Sequence, residues 1–164
     1  MTMGRVVAIV AVLLVAGAAG WYFSPDAMPP VAEAKSGAET LALTVETASG
    51  KHVYQVEVAR DSRTQARGLM FRNSMPENHG MLFDFGTDRP LGFWMRNTYI
   101  SLDIIFFRAD GIVHRIAADA VPLSEKNIPS GIPLRYVLEL NAGQARKIGL
   151  KPGDRISFDG LGKP

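Results

Sequence analysis

The chain has 164 residues, enough for one domain and a short appendage. Its 47% hydrophobic and 21% charged content is that of a globular protein and excludes a wholly disordered chain. A formal net charge of +2, without a cluster of Lys and Arg, gives no basic field for nucleic acid, and the absence of cysteine removes disulfides, thiolate nucleophiles and thiolate metal sites.

The N-terminus carries a basic start at Arg5, then an apolar run from Val6 to Gly20 and Trp21-Tyr22-Phe23. Two readings compete for residues 1–23. Ala16-Gly17-Ala18 would serve as the cleavage site of a signal peptide; alternatively, residues 6–23 form an uncleaved transmembrane anchor with Trp21 and Tyr22 at the far interface. Either one predicts an exported domain in the periplasm, the second with a tether to the inner membrane. Residues 24–39, rich in Pro, Ala, Ser and Gly, read as a flexible linker. A single β-rich domain is expected over 40–159, with a tail at 160–164.

Leu41–Glu46 and His52–Ala59 alternate apolar and polar around a glycine-containing loop, which predicts a hairpin. Ser62 and Gln65 form a capping box that starts a short helix, in which Gly68 is either the stop or a point of close packing. A loop over Asn73–Gly80 leads to a strand at Met81–Phe85 and a turn at Gly86–Pro90.

The run from Leu91 to Phe107 follows, with apolar segments at Phe93–Met95 and Leu102–Phe107 around a polar turn, Arg96-Asn97-Thr98. In the second segment both alternating faces are apolar, as in a strand buried on two sides. Asp103 breaks that pattern. A buried carboxylate needs hydrogen-bond partners, and the nearest in sequence are Asn97, Thr98 and Arg96. Arg108–Gly111 reads as a tight turn and Ile112–Ala117 as the return strand. Asp119–Pro133 reads as a long loop and Leu134–Leu140 as a strand. Asn141 and Gln144 form a second capping box, with Gly149 as the stop; Lys151–Asp154 makes a turn and Arg155–Phe158 a last strand. About eight short strands and two short helices predict a compact mainly-β sandwich or barrel.

Several of these segments stand in a recognisable order: Arg67-Gly68-Leu69-Met70, Gly80-Met81-Leu82-Phe83, Phe93-Trp94-Met95-Arg96-Asn97-Thr98, Leu102-Asp103-Ile104-Ile105-Phe106, Tyr136-Val137-Leu138-Glu139-Leu140, and Gly149-Leu150 with Gly153-Asp154. Together they resemble the DUF192 family of small prokaryotic proteins over Leu41 to Phe158. One departure is Ser101, where the family often has proline before the Leu-Asp pair. The resemblance implies a compact, mainly-β fold and frequent export; it carries over no activity and no catalytic residue.

Three constellations carry chemistry. Arg67, Trp94, Asn97, Thr98 and Asp103 combine donors, an acceptor and a stacking face, which suits a sugar, a peptide end or a carboxylated ligand. The same residues also read as a structural network in which Asp103 pins the Asn97-Thr98 turn. Met70, Met75, Met81 and Met95 with His79 could hold Cu(I) in an exported protein, although methionine is also an ordinary filler of irregular cores. Asp103 and His114, on two strands of one expected hairpin, are the acid–base pair available to a hydrolase, with Ser101 or Thr98 as nucleophile. The leading expectation is a non-catalytic domain that binds a small ligand or an envelope protein. No cofactor and no nucleic acid are implied, and membrane contact is expected through the N-terminal segment alone.

Overall fold

A computed structural model describes residues 39–162. The signal-peptide or anchor segment and the linker through residue 38 lie outside the described residues. Among those described, no helix is long and apolar enough to cross a membrane.

The described residues fold as nine strands and two short helices. β1 (Thr40–Thr47) and β2 (Gly50–Ala59) form the expected antiparallel hairpin. α1 (Ser62–Arg67) then crosses to β3 (His79–Arg89), which pairs parallel to β2. A parallel pair requires such a crossover, because a tight turn can join only antiparallel neighbours. β5 (Leu102–Phe107) and β6 (Val113–Ala120) form a second hairpin. β8 (Leu134–Asn141) inserts between β5 and β3, and β9 (Arg155–Phe158) lies beside β1. The sheet order is thus β6-β5-β8-β3-β2-β1-β9. β4 (Gly92–Phe93) and β7 (Ile128–Pro129) pair separately as a small second sheet.

The large sheet curls until its edges meet at one end. Ile112 bridges to Arg155, Val113 N–H donates to the Asp154 carbonyl at 2.9 Å, and Ile156 N–H donates to the Gly111 carbonyl at 2.8 Å. Gly111 is required there: its φ is +85°, and a Cβ would lie 2.2 Å from the Ile156 carbonyl oxygen. This barrel-like curl encloses one core around Leu43, Val56, Leu82, Phe107, Tyr136 and Leu138. A second core covers the outer face, with Met81, Phe83, Met95, Ile104, Phe106 and Val137, under α1, the small sheet and the 91–101 segment. All six residues of β5 are buried, as expected for a strand covered on both faces.

Several local expectations are corrected. α1 is capped by Asp61, whose carboxylate accepts the N–H groups of Arg63 and Thr64 at 2.9 and 3.0 Å, and Ser62 is its first helical residue. Asn141 belongs to β8 and donates to the Met75 and Pro76 carbonyls, while α2 (Gln144–Lys147) starts from a left-handed Gly143. β3 runs on to Arg89, with an irregularity between Asp84 and Arg89, where a turn was expected. Of the Phe93–Met95 segment only Phe93 is in a strand; Met95 packs fully buried in the outer core. Residues 119–133 include the end of β6 and all of β7.

Candidate functional site

α1 and the turn after it build one wall of a cleft on the outer face. Gln65 anchors the helix: its side-chain amide donates to the Asp84 carbonyl at 2.8 Å and to the Ala59 and Arg60 carbonyls at 3.3 Å. Gly68 ends the helix at φ +48°, so close to the sheet that a Cβ would sit 3.3 Å from the Phe83 ring. Leu69 therefore drops into the outer core, 2% exposed. Phe71, also at positive φ, donates its N–H to the Asn97 carbonyl at 2.8 Å, tying this wall to the Arg96-Asn97-Thr98 turn.

The opposite wall is aromatic. Phe93 stands edge-on to Phe83 (5.0 Å between centroids), Phe106 (5.8 Å) and Phe85 (6.3 Å). Trp94 remains half exposed at the rim, with the Arg96 guanidinium 5.6 Å from its ring centroid. Thr98 is buried, and its hydroxyl donates to the Arg96 carbonyl. Between the walls lies a cleft of about 250 Å³, lined by Gln65 to Met70, Phe83, Phe85, Gly92, Phe93, Trp94, Thr98 and Glu139.

Glu139 is the unexpected member. It sits on β8 opposite Met81 of β3 and Ile104 of β5, in the middle of the sheet, so only its side chain can reach the cleft. The residue is 5% exposed, and its carboxyl makes no hydrogen bond to the described residues. Burial pushes this carboxyl up to about 8, with the Arg72 guanidinium opposing the shift. At neutral pH the floor of the cleft is therefore largely a neutral carboxylic acid. The sequence signal was a glutamate in Tyr136-Val137-Leu138-Glu139-Leu140, the same conflict of charge with apolar pattern that singled out Asp103.

The five residues expected to act together are divided. Arg67, Trp94 and Thr98 line the cleft; Asn97 holds the adjoining turn at φ +55° and does not line it. Asp103 lies on the opposite face of the sheet, the face of its strand neighbours Ile105 and Phe107. Its partners are not Asn97, Thr98 or Arg96: one carboxylate oxygen accepts the Asp119 N–H at 2.9 Å and the other the Ala145 N–H at 2.8 Å.

The hydrolase pair is not assembled either. His114 sits between the Phe106–Arg115 and Phe107–Val113 pairs, near the turn of the β5–β6 hairpin, whereas Asp103 lies at its other end. Of the methionines, Met81 and Met95 fill the outer core, Met75 packs against it, and Met70 lines the cleft. His79 shares a hydrogen bond with the Asn78 side chain.

A small mainly-β domain whose one curled sheet carries an aromatic cleft on its outer face is the class these features define. The profile of the DUF192 family, described as uncharacterized ACR, matches residues 44–158, and the chain belongs to that family. A crystal structure from Sinorhizobium meliloti 1021, of a protein described as a candidate transcription regulator, is 45% identical with a TM-score of 0.75 and covers 77% of this chain and 99% of its own. A protein of unknown function from Novosphingobium aromaticivorans DSM 12444 is 44% identical with a TM-score of 0.74, covering 80% of this chain and 94% of its own. No functionally curated protein matches the chain.

Proposed function

We propose that the domain binds a small ligand in the outer-face cleft and that it does so outside the cytoplasm, delivered by residues 1–23. The observation that carries the binding reading is Glu139. The residue is 5% exposed and its carboxyl, without a hydrogen-bond partner among the described residues, opens onto the cleft, where a ligand can complete it. Aromatic walls with a few convergent polar groups, Arg67, Trp94 and Thr98, are the ordinary make-up of small-molecule sites. The volume, about 250 Å³, fits a molecule no larger than a single amino acid or sugar. The description of the Sinorhizobium relative does not make this chain a DNA reader, because a net charge of +2 supplies little attraction for phosphate.

A second reading, docking of an envelope protein, is favoured by the apolar residues beside the cleft. Phe71, Tyr99 and Leu123 are each about half exposed, the first two in edge contact at 6.1 Å, and Leu123 N–H donates to the Thr98 carbonyl.

A thermal-shift screen of the full chain against sugars, amino acids, short peptides and metal ions including Cu(I) tests the first reading, since a ligand of the native state raises the midpoint by mass action. A hit abolished by Trp94→Ala and retained by Asp103→Asn supports the cleft. Hits insensitive to Trp94→Ala, or none at all, overturn it in favour of a protein partner.

A further inference from the structure

The ligand's chemical class follows from the way the cleft is polarised, if the small-ligand reading above holds. Its floor holds one acidic side chain, Glu139, 5% exposed and unpartnered among the described residues. Basic groups gather at its mouth. Arg67 is exposed in the lining, the Arg89 guanidinium lies 4.4 Å from the Phe85 ring centroid, and Arg96 flanks Trp94, with Glu125 4.0 Å away. Between floor and mouth the surface is aromatic.

We propose that the cleft binds a small zwitterion of the amino-acid type, its primary ammonium group on the Glu139 carboxyl, its apolar side chain against Phe93 and its anionic group among the arginines of the mouth. An ammonium group supplies what the floor lacks: an opposite charge and three hydrogen-bond donors in a site shielded from water. Aromatic faces also favour a cation held against them. A purely cationic ligand would meet the arginines, and a purely anionic one would leave Glu139 unpaired.

The assignment couples binding to a proton. The free cleft holds Glu139 as the carboxylic acid; the bound ammonium stabilises the carboxylate, and the displaced proton passes to solvent. The groups facing Glu139 fit this. Met81 of β3 and Ile104 of β5 are apolar, the charged group acting on the carboxyl is Arg72 of the α1–β3 connection, and Arg67, the last residue of α1, lines the same cleft. Arg72 is held by Glu57 of β2 through hydrogen bonds of 2.5 and 2.7 Å.

Calorimetry on the full-length chain, at pH 6.5 and 8.5 in buffers of different ionisation enthalpy, tests this with four probes: phenylalanine, phenethylamine, 3-phenylpropionate and phenethyl alcohol. Phenylalanine is expected to bind most tightly, to release close to one proton at pH 6.5, and to tighten on the order of 20-fold by pH 8.5 as the carboxyl ionises. Glu139→Gln, shown to be folded by its thermal transition, is expected to bind without proton release or pH dependence. Binding of phenylalanine without proton release, or 3-phenylpropionate or the alcohol binding as tightly, overturns the ammonium assignment and leaves the cleft as a small-ligand site. So does silence from all four probes when another compound of the thermal-shift screen binds the cleft. Silence across the probes and the whole screen overturns both readings.

Discussion

Asp103 accepts the backbone N–H of Ala145 at 2.8 Å with one oxygen and that of Asp119 at 2.9 Å with the other, so one buried carboxylate fastens both the start of α2 and the end of β6. An asparagine there keeps one acceptor and turns its amide nitrogen toward a second N–H. Asp103→Asn is expected to lose about 2–4 kcal/mol in urea unfolding, the cost of orphaning a buried donor beside a lost charge-assisted bond. Ligand affinity in the cleft should be unchanged, because that site is on the other face of the sheet.

Glu139 makes the fold sensitive to alkali. Its folded-state value lies near 8 against an ordinary 4.5, so between these pH values the native chain keeps a proton that the unfolded chain gives up. Its favourable contribution is complete below pH 4.5 and is lost as pH rises through 8. Glu139→Gln removes this slope: relative to the parent it should gain on the order of 3–5 kcal/mol between pH 4 and pH 9, by linkage. Denaturation midpoints measured across that range check it, and parallel curves for the two proteins would refute it.

Arg135 and Asp84 pair side by side, with hydrogen bonds of 2.8 and 3.1 Å, both largely buried. Burial pushes the Asp84 carboxyl up, but the Arg135 guanidinium and the Gly86 N–H outweigh it, and the net direction is down. The pair's contribution is therefore present at neutral pH and is lost as pH falls through the depressed value. Arg135→Met, which leaves the largely buried Asp84 with the Gly86 N–H and the Arg60 guanidinium at 3.9 Å as its remaining partners, is expected to cost about 2–3 kcal/mol at pH 7. The deficit should shrink in acid, where the parent loses the same interaction.

Gly111 is where the two edges of the sheet meet. Alanine would combine an unfavourable positive φ with a Cβ 2.2 Å from the Ile156 carbonyl oxygen. The expected loss is about 3 kcal/mol or more, with backbone displacement at the β6–β9 junction. Hydrogen exchange of the Val113 and Ile156 amides, both donors at that junction, should accelerate before the rest of the sheet does.

What was legible in the sequence was largely local. The β1–β2 and β5–β6 hairpins followed from alternation and turn residues, and the two-sided burial of β5 from its unbroken apolar run. Asp103 was recognisable as a group in need of partners, but those partners are backbone N–H groups 16 and 42 residues away, and every residue but proline carries such a donor. The cap of α1 was misplaced by one position because Asp61 and Ser62 both cap well, and only the fold decides between them. Glu139 escaped because its strand was read from the Tyr136, Leu138 and Leu140 face, which fills the inner core, while Glu139 points to the outer one. The parallel pairing of β2 with β3 left no periodic trace at all.

The sheet order sets a timetable for assembly. β3, β2 and β1 join in one group and β5 with β6 in another, and β8 lies between them in the sheet and hydrogen-bonds to both. A chain emerging from its N-terminus completes both groups before Leu134 exists, and each waits with an unpaired strand edge. Insertion of β8 satisfies those edges, buries Glu139 and floors the cleft in a single event. The cleft is thus among the last features the nascent chain acquires, and any truncation upstream of β8 leaves two β-fragments without its floor.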